Sequence, residues 1–188
     1  MATGHLTDSP ERAVPRFPER AVDAVAATCE RVLRGWGLGT DDLLICGGAR
    51  GGDLLAAGTA RSLGATVWLL LAQPPDEFEA ASVAGADIDW VSEFRGLLHR
   101  VPSWVLDAAH PSDPGPGIYA ETNRWILEVA EVQAEAGHLR LLAVWDGRPG
   151  DGPGGTGDMV ETARALGAEV VRVDPSSGSS TDLGKNRL

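Results

Sequence analysis

The chain has 188 residues and a formal charge of −11, with 27 acidic against 16 basic side chains. That length suits one domain, and the acidic balance argues against binding a nucleic-acid polymer, which needs a basic surface. No apolar run approaches the ~20 residues that cross a bilayer, and the start, MATGHLTDSPERAVPRFPER, lacks the apolar segment of a secretory signal, so a cytoplasmic protein with no membrane partner is expected.

Met1 to His5 reads as the end of a short first strand, and Leu6 to Phe17, with Pro10 and Pro15, as loop. Pro18 suits the first turn of a helix, on which Val22, Val25, Ala26, Cys29, Val32, Leu33 and Trp36 recur at helical spacing until Gly35 and Gly37 end it. Asp42 to Cys46 is a second strand, running into Gly47-Gly48-Ala49-Arg50-Gly51-Gly52-Asp53 and a small-residue helix, Leu54 to Leu63. Ala65 to Ala72 is a third strand, apolar throughout and so covered on both faces. Asp76 to Ala86 holds one helical turn. Asp87 or Asp89 caps a helix whose Trp90, Phe94 and Leu97 form a packing face, a candidate dimer contact.

Ser103 to Leu106 reads as a short strand, His110 to Gly117 as loop, and Ile118 to Ala136 as the longest helix, with Gly137 as its C-cap. Leu139 to Val144 is a buried strand. Trp145 to Gly157 is a glycine-rich loop, and Met159, Val160, Ala163 and Leu166 mark a helix closed by Gly167. Glu169 to Val173 is the last strand, and residues 175–188, polar and rich in Gly and Ser, are expected to be a disordered tail after a single domain spanning 1–174. Cys29 and Cys46 have no other Cys or His at ligand spacing, so both read as buried thiols and no metal site is expected.

Strands alternating with helices imply an α/β fold, a Rossmann-like three-layer sandwich with a mainly parallel central sheet. Ligands of such sheets bind at the carboxyl ends of the strands. Three glycine-bearing segments follow strand ends here: Thr3-Gly4-His5, Gly47 to Asp53, and Asp146 to Asp158. Right-handed crossovers bring all three to one edge of the sheet. The third leads into a helix start, where backbone N–H groups and the helix dipole favour an anion. Gly154, Gly155 and Gly157 are expected to give N–H groups to a phosphate, with Thr156 beside them, and Gly48, Gly51 and Arg50 to serve the same end from the second loop. Gly4, His5 and Asp146 border the ligand. Asp53 either caps its helix or touches the ligand. Trp68 and Trp145 read as core aromatics rather than stacking platforms.

Named phosphate loops fit poorly. Gly47 and Gly52 have Walker spacing, but Asp53-Leu54 stands where Lys and Ser/Thr are required. Gly152, Gly154 and Gly157 spell G-x-G-x-x-G, yet in the last strand-helix-strand unit and with Pro153 in the turn, so no dinucleotide cofactor is expected. Pro153-Gly154-Gly155-Thr156-Gly157-Asp158-Met159-Val160-Glu161 resembles the P-G-G-x-G-T-x-x-E motif of the LOG family, the cytokinin-activating phosphoribohydrolases. Gly47 to Gly64 resembles the glycine-rich segment of the DNA-processing protein DprA. Both belong to the SLOG superfamily of Rossmann-like nucleotide-binding domains. The order of pieces is similar to that of stand-alone bacterial SLOG proteins: G-H near the start, R-F-P before the first helix, G-G-A-R-G-G-D, S-V in mid-chain, N-R on the long helix, W-D-G, and P-G-G-T-G. The resemblance covers roughly residues 3 to 174.

The resemblance implies a nucleotide-like ligand, no cofactor and a homodimer. It assigns Glu161 to the ribose or the transition state of a glycosidic cleavage, and Arg124, beside Asn123, to a bidentate grip on phosphate. Asp158 stands where the family has threonine, and Trp125 where the enzymes' lysine would be. These departures favour a sensing or binding domain. The alternative is a LOG-like phosphoribohydrolase acting on a nucleoside 5′-monophosphate, and a third reading is a ligand-free scaffold.

Overall fold

The computed structural model describes residues 1–106, 117–135, 138–148 and 152–185. Along them run β1 (Ala2–Gly4), α1 (Val22–Gly35), β2 (Leu43–Cys46), α2 (Gly52–Ser62), β3 (Thr66–Leu71), α3 (Pro75–Phe78), α4 (Trp90–Leu98), β4 (Ser103–Val105), α5 (Gly117–Gln133), β5 (Arg140–Val144), α6 (Thr156–Ala165), β6 (Glu169–Val173) and β7 (Ser180–Gly184). A 3-10 turn, Glu19–Ala21, leads into α1, and a π turn, Glu79–Val83, extends α3, so the single turn expected between Asp76 and Ala86 is two joined ones. Asp89 is the cap of α4: its carboxylate accepts from the Ser92 N–H at 3.0 Å. Of the loop expected from His110 to Gly117, residues 110–116 lie outside the described residues, as does the Gly137 cap, while Gly117 opens α5.

Hydrogen bonds join the strands in two sets, β1-β5-β6-β7 and β2-β3-β4, parallel throughout except for the β6–β7 pair. β1 and β2 lie side by side at the seam without a ladder. Across that seam the order reads β4-β3-β2-β1-β5-β6-β7. The chain therefore winds outward from β1 in one direction and from β5 in the other. The crevice at such a reversal is where open α/β sheets take ligands.

Period-two alternation of the strands sorts the core into two layers. Leu69, Leu71, Leu142 and Val144 face one side, with Val25, Cys29 and Leu33 of α1 and Ala56, Ala57 and Ala60 of α2. Leu70, Leu141, Ala143 and Val170 face the other, with Ile126 and Leu127 of α5 and Met159, Val160 and Ala163 of α6. Both cysteines are buried free thiols, and burial pushes Cys29 up to about 12. Trp90, Phe94 and Leu97 are buried within this chain, so they form no surface for a dimer. No described helix is long and apolar enough to cross a membrane.

The tail differs from expectation. Asp174 accepts from the Ser176 and Ser177 N–H groups, both at 3.0 Å, and its own N–H donates to Ser179 O at 2.7 Å. The Ser- and Gly-rich stretch is thus a tight turn that sends β7 back antiparallel to β6. Thr28 Oγ1 anchors the turn to α1 by donating to Gly178 O at 2.7 Å. Low hydropathy signalled disorder because that signal does not register a turn closed by its own side chains.

The start of α2 packs on the end of β1 through two glycines. A Cβ on Gly52 would lie 2.6 Å from Gly4 Cα. Gly52→Ala is therefore expected to destabilise the fold by about 2 kcal/mol, as overpacking does, read as a lower urea midpoint with unchanged m-value. An unchanged midpoint would show that this contact relaxes freely.

Candidate ligand site

The loops after β1, β2 and β5, roofed by α5, enclose a cavity of about 450 Å³, within the ~300–1,000 Å³ of small-molecule sites. Gly4 and His5 reach it from β1, Gly47, Ala49 and Asp53 from β2 and α2, and Gly154, Gly155 and Thr156 from the α6 side. All three expected segments therefore meet in one place. α5 contributes Tyr119, Thr122, Asn123 and Ile126, an i, i+3, i+4, i+7 stripe. Two hydrogen bonds hold this roof: Asn123 Nδ2 donates to Gly154 O at 3.0 Å, and Tyr119 OH lies 3.2 Å from Ser82 Oγ.

The glycine loop works differently from the expectation. The Gly154 N–H donates to Asp158 Oδ2 at 2.9 Å and the Gly155 N–H to Gly152 O at 3.1 Å. Gly154 has φ +86° and packs so closely under α5 that a Cβ there would lie 2.6 Å from Ala120 N. Gly157 lies outside the lining, against the Trp145 ring. What faces the cavity is the start of α6, which no side chain caps, and the Thr156 hydroxyl. Thr156 is only 7% exposed, and its Oγ1 makes no hydrogen bond to another described residue. A hydroxyl beside an uncapped helix start is an anion-binding arrangement.

Two basic side chains of the β1–α1 loop, Arg12 and Arg16, line the cavity. Arg16 Nε and Nη2 donate to Asp146 Oδ2 and Oδ1 at 2.9 and 3.1 Å. His5 Nε2 lies 3.1 Å from Asp146 Oδ1 and 3.4 Å from Asp146 N. Both contacts tie the end of β1 to the start of the loop after β5. Burial works to raise the Asp146 pKa, but the bonds from Arg16, the Arg148 N–H and His5 outweigh it and hold the carboxyl below the ordinary carboxylate range.

Asp53 shows the opposite balance. It is buried in the cavity wall, and burial pushes it up to about 7 against the amides of Ala49, Gly48, Gly47 and Gly4, which favour the ionised form. Its Oδ2 accepts from the Ala49 N–H at 3.3 Å, so it braces the turn before α2 as well as touching the cavity.

Several expected residues stand elsewhere. Arg50 turns away, with Nε donating to Thr7 O at 3.1 Å and Nη1 to Ala84 O; it ties loops together. Gly48 and Gly51 have φ +84° and +85°, and a Cβ on Gly51 would lie 2.6 Å from His5 O, so these glycines serve the turn and, at Gly51, a close backbone approach. Asp146 pairs with Arg16 and stands outside the lining. Arg124 and Glu161 are exposed and outside the lining. Sequence reasoning missed Arg12, Arg16, Ser82, Tyr119 and Thr122. The stripe through Asn123 would have found the last two, and R-F-P contains Arg16. No protein-family model and no curated protein matches the chain.

Proposed function

We propose that this chain is a SLOG-like domain that binds a nucleotide or nucleotide-derived ligand in the 450 Å³ cavity, as a sensing or binding module. The observation that carries this reading is the make-up of the cavity wall: an uncapped α6 start and the Thr156 hydroxyl, unpartnered among the described residues, in a lining that also includes the apolar Phe78, Ile126 and Met159. Such a site suits a ligand with a phosphate at one end and a ring at the other. The positions of Glu161 and Arg124 outside the lining favour binding over glycosidic cleavage. A homodimer in the cytoplasm goes with this reading, from the resemblance and the composition.

The test is a thermal-shift panel of nucleoside monophosphates, cyclic nucleotides, dinucleotides and ADP-ribose, with chromatography of each mixture. A ligand at ~100 times its Kd adds about 2.7 kcal/mol, or roughly 5–10 °C in a chain of this size. The expected result is such a shift with the ligand recovered intact, unchanged in Glu161→Gln. Released base, lost in that variant, would establish the hydrolase instead. No shift with any member would overturn the reading.

A further inference from the structure

The β1–α1 loop carries acid and base in an ordered pattern: Asp8, Arg12 and Arg16, with Asp146 across from it. Asp8 accepts from the Arg16 backbone N–H with both oxygens, at 3.1 and 3.0 Å, and its Oδ1 lies 3.4 Å from Arg12 Nε. Arg12 Nε also donates to Val14 O at 3.1 Å, while its Nη nitrogens make no hydrogen bond to another described residue. Asp146 grips the Arg16 guanidinium. Both arginines line the cavity and neither carboxylate does. Each arginine that lines the cavity is thus held by a carboxylate that does not. Pro10 and Pro15 stiffen the loop between them.

We propose that Arg12 and Arg16 form a clamp for a phosphate monoester in the cavity that Thr156 also lines, with Asp8 and Asp146 as positioning residues. The proposal rests on the ligand-binding reading above and goes beyond it, because it moves recognition of the anion from the glycine loop to the β1–α1 loop. Three facts argue for it. The Gly154 and Gly155 amides are already engaged within their own loop. No lysine lines the cavity, and the guanidinium fork matches phosphate oxygens better than an ammonium does. A guanidinium fixed by a carboxylate loses little side-chain freedom on binding, so it is preorganised for its anion.

The test is calorimetric titration of the full chain with adenosine 5′-monophosphate, ribose 5-phosphate and inorganic phosphate, and with adenosine as the uncharged control. Arg12→Gln and Arg16→Gln are each expected to weaken the phosphate-bearing probes at least tenfold and to leave adenosine unchanged. Arg12 is half-exposed, and Arg12→Gln keeps the fold if its melting profile stays cooperative. Arg16→Lys keeps the charge without the fork and is expected to fall between wild type and Arg16→Gln. Phosphate-bearing probes that bind the wild type and both glutamine variants within twofold would overturn the clamp while leaving the binding reading intact. Wild-type chain that binds adenosine but none of the phosphates would overturn it too. Failure of every probe on the wild type removes the binding reading and the clamp with it.

Discussion

Asp146→Ala is expected to destabilise the chain by about 3 kcal/mol at pH 7, as loss of one partner from a largely buried pair does, or roughly 6–12 °C in melting temperature. The carboxylate accepts two hydrogen bonds from Arg16 and contacts His5 at 3.1 Å, and the Arg16 and Asp146 side chains are only 16% and 11% exposed. Alanine would remove both Asp146 acceptors from the mostly buried Arg16 guanidinium and untie the β1–α1 loop from the end of β5. Asn retains one acceptor oxygen, so Asp146→Asn is expected to lose less. The pH dependence has a definite sign. The folded-state pKa lies below the ordinary value, although burial opposes this. An acid depressed in the folded state contributes stability that is complete above its unfolded pKa of about 3.9 and is lost as pH falls. The gap between wild type and Asp146→Ala in urea unfolding should therefore be full at pH 7 and shrink at pH 3. A gap of the same size at both would mean the stabilisation is not ionic.

The sheet was legible in the sequence because its strands are apolar on both faces and its helices carry clean periodicity. Leu69 and Leu71 against Leu70 shows the consequence: adjacent residues of β3 feed different core layers. β7 was not legible, since Ser180-Thr181-Asp182 has no apolar alternation and its pairing is set by the Asp174 turn. At the site, the convergence of three loops followed from strand order, and Gly4, His5, Asp53, Asn123, Gly154, Gly155 and Thr156 do line the cavity. The misplacements have one cause, which is that a motif gives position along the chain but not angular position. Arg124 follows Asn123 by one residue, hence by about 100° around α5, and it leaves the stripe. Glu161 is five residues past Thr156, about 140° around α6. Arg50 sits among glycines, but Gly48 and Gly51 supply positive φ to the turn, Gly51 also lets the His5 backbone approach, and the turn aims Arg50 at Thr7 and Ala84. Arg12 and Arg16 were hidden for a different reason: a long loop has no period from which facing can be read.

Asp53→Asn should change the pH dependence of stability by about 4 kcal/mol, the equivalent of about three pK units at 1.36 kcal/mol each. Burial raises this carboxyl from 3.8 to about 7, and the neighbouring amides only partly oppose it. Between those values the folded chain holds a proton that the unfolded chain has released. Stability therefore falls as pH rises from about 4 to 7 and then levels off. Asn does not titrate, so the variant lacks this slope, and its stability relative to wild type should increase from about pH 4 to about pH 7 and then level off. Cys46, whose Sγ lies 3.9 Å from Asp53 O, is held neutral across this range by burial, reinforced by Asp53 itself. Urea unfolding of both proteins at several pH values measures the difference, and parallel curves would show that Asp53 ionises normally in place. The same titration bears on the ligand. Ionised Asp53 adds a negative charge to the wall of the cavity that Arg12 and Arg16 line and that we propose takes a phosphate. Binding of a phosphate ester should thus weaken as wild type passes pH 7 and stay level in Asp53→Asn. A weakening equal in both proteins would assign the pH response to the phosphate or to His5, and would leave Asp53 as a brace for the turn before α2.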